Sequence, residues 1–370
     1  ACNHPLLEGG EAAQFVEDVA AAALNAISGT RHTLNHYRNV PHFLEIARFQ
    51  SAVTQKTLDA MFEAIFSEMD FSRRLLRLKA QTMNRDTIAW YDLGSPLPLP
   101  DETALDWETG KTLVQNAFAN AYPELGTFTQ RMYDQNWIDW EPRAGKRPGG
   151  FCTGSEHIHE SRIFMTYNNT LGDICTLAHE AGHAFHCYIL RNQRPLATEY
   201  PMTLAESAST FGEMILTEGI LESNDFDNTQ KAQILDMEIG NGAIYLTDIP
   251  VRYEFEKAMY EERAKGELSV SRFKDLMVET QRRVFGDVLE EGDPYFWASK
   301  LHFYIAGLTF YNFPYTFGFL LSRGLFARFK EQGPDFLPRY EEFLRLTGSD
   351  TCENVAKRSI DEDLEAPEFW

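Results

Sequence analysis

Apolar residues recur along most of this chain at three- and four-residue spacing, the period of a helix buried along one side. Glu11 to Ile27 is alanine-rich and amphipathic, and Gly29 follows it as an expected stop. From Gln55 to Asn84 the inward side of a second helix is marked by Leu58, Met61, Phe62, Ile65 and Phe66. The same period predicts helices over 109–121, 125–135, 171–191, 203–221, 228–246, 249–265, 271–285, 315–330 and 334–346. Strict alternation is clearest in Arg162–Tyr167 (RIFMTY), which predicts a strand, either an exposed edge or part of a buried hairpin. Glycines at 145, 149, 150 and 154 make the preceding stretch read as loop. The proline-rich connector Leu93–Asp101 separates a helical subregion, 1–100, from 101–370 within one α-rich region. The last residues, SIDEDLEAPEFW, read as a solvated acidic tail.

Charge narrows the partners. With 34 basic against 55 acidic residues the net charge is −21, and no long basic stripe is present, which argues against nucleic acid. The uncharged stretch from Ile305 to Ser322 is long enough to suggest a membrane span. It contains Asn312 and Pro314 and lacks a uniform aliphatic stripe, so a loop leading into a buried helix is expected instead. The opening ACNHPLLEGG has neither a basic start nor an apolar run, so no signal peptide is expected. Five cysteines, scattered and without a C-x-x-C pair, predict reduced thiols in a cytoplasmic protein.

The chemistry concentrates in TLGDICTLAHEAGHAFHCYILR, residues 170–191. Thr170 and Asp173 fit a reciprocal helix cap. Inside the helix stands His179-Glu180-Ala181-Gly182-His183, the H-E-x-x-H pattern. Residues four apart share a helix face, so both imidazoles can reach one Zn²⁺. Glu180 points slightly aside, where it can take a proton from a water at the metal without ligating it. A third protein ligand is required. His186 lies about 4.5 Å further along an unbroken helix than His183, and is better read as a core or supporting histidine. No histidine stands ten residues after His179, which excludes the metzincin pattern. Glu206 and Glu213, seven apart on the next expected helix, remain as carboxylate candidates.

At these residues the sequence resembles the oligoendopeptidase F family, within the thimet-oligopeptidase-like zinc metallopeptidases. The resemblance includes RAGKRPGGF at 143–151, MTYNNTLGDICTLAHEAGHAFH at 165–186, LAESASTFGE at 204–213 and LHFYIAGLTFYNFPYTFGFLLS at 301–322. These blocks stand in family order. The resemblance covers the C-terminal catalytic portion of family members and implies that their N-terminal lobe lies outside this chain. It implies one Zn²⁺ held by His179, His183 and Glu206, with Glu180 as general base. The family's late histidine and tyrosines would fall on His302, Tyr304, Tyr311 and Tyr315, with His302, Tyr311 and Tyr315 as catalytic donors.

The implied fold is a mainly α-helical zinc-peptidase domain with a small antiparallel sheet lining the substrate cleft. The implied activity is hydrolysis of unstructured oligopeptides at internal bonds. Two rivals are a zinc carboxypeptidase on the same scaffold and a catalytically silent peptide-binding module. Arg143, Lys146 and Arg147 read either as a solvated turn or as a glycine-hinged flap over the peptide, with His157 and His159 as nearby loop histidines.

Overall fold

The computed structural model describes the backbone of residues 5–95, 97–100, 104–147 and 149–370, with side chains from 14 onward. Residues 96 and 101–103 of the proline connector lie outside the described residues. The chain divides into two compact units, 1–98 with 238–316, and 99–237 with 317–370. The contiguous division expected near residue 100 is therefore replaced by a discontinuous one, because 238–316 packs with the N-terminal helices.

The first unit is helical. Its opening helix runs from Pro5 to Tyr37 and passes through Gly29, the expected stop. A side chain begun at Gly29 would meet the guanidinium of Arg263 at 2.3 Å, so the glycine leaves room for that arginine. Arg263 Nε donates to the Asn25 carbonyl at 3.0 Å, and the Asn25 side chain pairs twice with the backbone of Leu268. The helix expected over 55–84 breaks at Glu68 into Gln55–Ser67 and Met69–Thr82. Leu24, Leu58, Met61, Phe255, Phe273, Met277 and Trp297 are among its fully buried residues.

The second unit is built around the helix Leu171–Leu190, whose start carries the expected capping box between Thr170 and Asp173. A three-stranded sheet packs on this helix: β1 (Ile138–Asp139), β2 (Gly150–Ser155) and β3 (Glu160–Met165). The order is β1-β3-β2, with β1 parallel and β2 antiparallel to β3. The sheet is thus mixed, not purely antiparallel. The RIFMTY segment is its centre rather than an edge, and β2, which reads as loop in sequence, is one of the two edge strands. The loop reading fails because β2 packs on the helix through Gly150 and Gly154, where a side chain would crowd Glu180 Oε1 at 2.9 Å and Cys187 Sγ at 3.1 Å.

Two further corrections concern this unit. The helix expected over 203–221 breaks after Ala205 and resumes as Ser209–Glu222. The expected solvated tail is docked: Leu364 is fully buried, and Trp370 packs on Phe317 with ring centroids 4.8 Å apart. Its acidic residues alternate with apolar ones that find the core. Among the described residues no helix is long and apolar enough to cross a membrane.

Candidate metal site

The helix Leu171–Leu190 presents His179 and His183 one turn apart, with Nε2 atoms 3.1 Å from each other. Glu206 stands in the break between the two following helical segments and brings Oε2 to 3.3 Å from His179 Nε2 and 3.5 Å from His183 Nε2. Two donors about 2.0–2.1 Å from a tetrahedral ion are about 3.3 Å apart. The three spacings match that value, so these residues fit one small divalent cation. They also form the metal-capable cluster found among the described residues.

The break at Glu206 is anchored. Ser209 Oγ donates to Glu206 Oε2 at 2.7 Å, and Ser322 Oγ donates to the Glu206 carbonyl at 3.1 Å. Glu213 does not join the cluster. Its Oε1 accepts from Nδ1 of His179, which leaves the His179 Nε2 lone pair directed at the centre. Burial works against a charge on His179, but the Glu213 bond and the surrounding carboxylates raise its pKa to about 9, so a metal would bind Nε2 in exchange for a proton. Burial and the neighbouring His179 lower the pKa of His183.

Glu180 is 5% exposed, and its buried Oε2 has no hydrogen-bond partner among the described residues. Burial pushes its pKa up to about 7; His179 opposes the shift, while Glu206 and Glu213 add to it. A carboxyl with a free oxygen and a pKa near neutrality is suited to exchange protons. Strand β2 passes directly over it, since a side chain begun at Gly150 would meet Glu180 Oε1 at 2.9 Å. Gly182 serves the same closeness on another face. A Cβ there would lie 2.4 Å from the Ala208 carbonyl and 2.6 Å from Ser209 Cα.

Other sequence candidates find structural roles. His186 is fully buried, its Nε2 reaching Thr347 Oγ1 at 2.9 Å, and it stacks on Tyr200. Arg143 and Lys146 both pair with Asp139, and Lys146 also donates to the Glu141 carbonyl. Two of the three cations of the expected flap are therefore committed to holding the loop. His159 sits in the turn between β2 and β3 at φ +52°.

In the first unit, His302, Tyr311 and Tyr315 gather, with ring centroids 5.9 Å (His302–Tyr311), 6.0 Å (His302–Tyr315) and 5.7 Å (Tyr311–Tyr315) apart. The helix here starts at Phe313, so Tyr311 lies just outside it. Tyr304 instead donates to the Trp297 carbonyl at 3.3 Å. Glu256 is an acid that sequence reasoning missed. It is buried, accepts from the Phe310 N–H at 2.9 Å and lies 3.4 Å from Asn312 Nδ2, and so brackets Tyr311. The available signal was its spacing with Tyr253 and Tyr260, which puts an acid on a core-facing stripe.

Two histidines and a glutamate directed at one point, beside a buried glutamate, suit a divalent metal ion with a proton acceptor next to it. The chain belongs to peptidase family M3, whose sequence profile matches residues 115–369. Within that family its relatives include oligoendopeptidases F. It is 28% identical over 318 residues to an oligoendopeptidase F homologue of Lactococcus lactis subsp. lactis, covering 84% of this chain and 51% of that protein. It is 25% identical over 351 residues to oligopeptidase PepF of Bacillus subtilis, covering 92% of this chain and 51% of that protein. The solved structure of oligoendopeptidase-F from Enterococcus faecium shares the fold, with a TM-score of 0.72 and 20% identity over 97% of this chain and 58% of that one. The chain thus spans about half the length of the curated relatives it matches.

Proposed function

We propose that the chain carries the active site of a zinc-dependent metalloendopeptidase acting on unstructured oligopeptides. The observation that carries this reading is the convergence of His179 Nε2, His183 Nε2 and Glu206 Oε2 at spacings of 3.1, 3.3 and 3.5 Å. The activity named for the oligoendopeptidase F relatives supports the substrate class.

His179, His183 and Glu206 would hold the zinc, and Glu213 fixes the His179 tautomer. When bound, zinc supplies Lewis acidity, polarising the scissile carbonyl and making a nearby water acidic at neutral pH. Glu180 takes the proton of that water through its free oxygen and later passes it to the leaving amine. The free edge of β2 receives the extended peptide as an added strand, recognising backbone rather than side chains. By the family resemblance, His302, Tyr311 and Tyr315 donate hydrogen bonds to the negative charge developing on the carbonyl oxygen. A cytoplasmic setting, suggested by the free cysteines, belongs to the same proposal.

Metal analysis of the wild type, Glu206→Ala and Glu213→Ala, run with a peptide blocked at both ends, tests this reading. Expected are one zinc per wild-type chain, its loss in Glu206→Ala, and internal cleavage abolished by a chelator. Full zinc affinity in Glu206→Ala would reassign the third ligand. Cleavage only of peptides with a free carboxyl terminus would make the enzyme a carboxypeptidase.

A further inference from the structure

Strand β2 carries Gly150, Cys152 and Gly154 on one face, since alternate residues of a strand point the same way. That face looks at the helix Leu171–Leu190. Gly150 meets Glu180, and a side chain begun at Gly154 would meet Cys187 Sγ at 3.1 Å. Cys152, between the two glycines, is the one position of the three with a side chain in this seam. Its thiol neighbours that of Cys187 in this seam, and the buried Ser161 stands beside both. Ser161 is held there by pairing with Gly154 across β2 and β3.

Cys187 is one turn beyond His183 and continues the same helix face. It also lines a cavity of about 320 Å³ at the end of the β2–β3 hairpin, with Phe128, Trp137, Tyr188 and Leu190 among its walls. Cys152 does not line it. Of the other described cysteines, Cys352 is fully buried, and neither it nor Cys175 reaches this cavity. Both cysteines are partly exposed, but of the two it is Cys187 that opens onto the cavity. A thiol that opens onto a cavity beside one that does not is the arrangement of an attacking and a resolving cysteine.

We propose that Cys187 and Cys152 form a reactive dithiol, in which Cys187 takes a low-molecular-weight disulfide of the glutathione type and Cys152 resolves the adduct into a Cys152–Cys187 disulfide. The Cys187 thiolate attacks one sulfur of the small disulfide. A new S–S bond forms, the old one breaks, and one small thiolate leaves with the electron pair. Cys152 then loses its proton to solvent and attacks the Cys187 sulfur, expelling the second small thiolate. Two protein thiols are oxidised and one small disulfide is reduced to two thiols. The product ties β2, the strand passing over Glu180, to the helix that bears His179 and His183. This goes beyond the proposed hydrolytic function and does not depend on it.

The test exposes the full chain to oxidised glutathione, blocks remaining thiols with N-ethylmaleimide, and applies intact-mass analysis and peptide mapping. The wild type is expected to carry a Cys152–Cys187 cross-link, to retain no glutathione at these sites, and to revert with dithiothreitol. Cys152→Ser should keep one glutathione on Cys187, and Cys187→Ser should leave Cys152 unmodified. A Cys187 adduct that persists in the wild type, an unmodified Cys187, or an adduct on Cys152 in Cys187→Ser would each overturn the proposal. The wild-type cross-link decides the matter alone if a variant fails to fold. Peptide turnover is not read, so failure of the hydrolytic reading leaves the result intact.

Discussion

Gly182 stands between the two histidines of the motif, and Gly182→Ala is a direct test of how the site is assembled. An added Cβ would lie 2.4 Å from the Ala208 carbonyl, against an ordinary contact of at least 3.4 Å. The deficit of about 1 Å falls on backbone, not on a side chain that could turn away. Overpacking of this kind costs about 3 kcal/mol, the upper part of the usual range. Alanine returns about 1 kcal/mol through helix propensity. A net loss of about 2 kcal/mol lowers the melting temperature of a unit this size by roughly 4–8 °C. The displaced segment begins two residues after Glu206, and metal bonds tolerate errors of only about 0.2 Å. Zinc affinity should therefore fall by more than about tenfold, the weaker end of effects seen when ligand support is lost. Calorimetry and titration with a competing chelator read the two effects. Gly240→Ala is the control, because nothing lies within 4 Å of a Cβ there, so it should be neutral or stabilising. Wild-type melting and zinc affinity in Gly182→Ala would refute the close approach on which this account of the site depends.

Glu213→Gln should retain the fold but weaken zinc binding by about 10–100-fold, measured by chelator competition, because it loosens control of the His179 tautomer. Tyr311→Phe or Tyr315→Phe should lower kcat by about 10²–10³-fold with little change in KM; equal kcat in both variants and wild type would remove the tyrosines from the reaction. Burial raises the pKa of Glu256 to about 7 from 4.5, against the hydrogen bonds from Phe310 and Asn312, so its contribution to stability is full below about pH 4.5 and is lost as pH rises through 7. Glu256→Gln should remove about 3 kcal/mol of this pH dependence between pH 4.5 and 7.5, read by urea unfolding, and parallel profiles for variant and wild type would contradict it.

The helices were legible because their buried stripes are long and their caps are local. Thr170 and Asp173 announce the start of the metal helix without any tertiary information. His179, Glu180 and His183 were legible for the same reason, since four-residue spacing fixes their common face. Glu206 and Glu213 could not be separated by spacing alone. What separates them is the break at Glu206, pinned by Ser209 and by Ser322 more than a hundred residues away. Strand β2 was hidden by its glycines, whose purpose is visible only when the helix lies against them. Glu256 was hidden because its partners, Phe310 and Asn312, are distant in sequence. The C-terminal segment misled through its acidic composition, while Leu364 and Trp370 carried the packing.

The central claim is that Glu180 performs the proton transfer at a metal held by other residues. Glu180→Gln keeps the shape of the side chain and removes its basicity, so zinc content and peptide turnover measured on one preparation separate the two roles. The account predicts one zinc per chain, as in the wild type, and turnover of a blocked oligopeptide lowered by at least about 10²-fold. Turnover within a few-fold of wild type, with zinc retained, would contradict it.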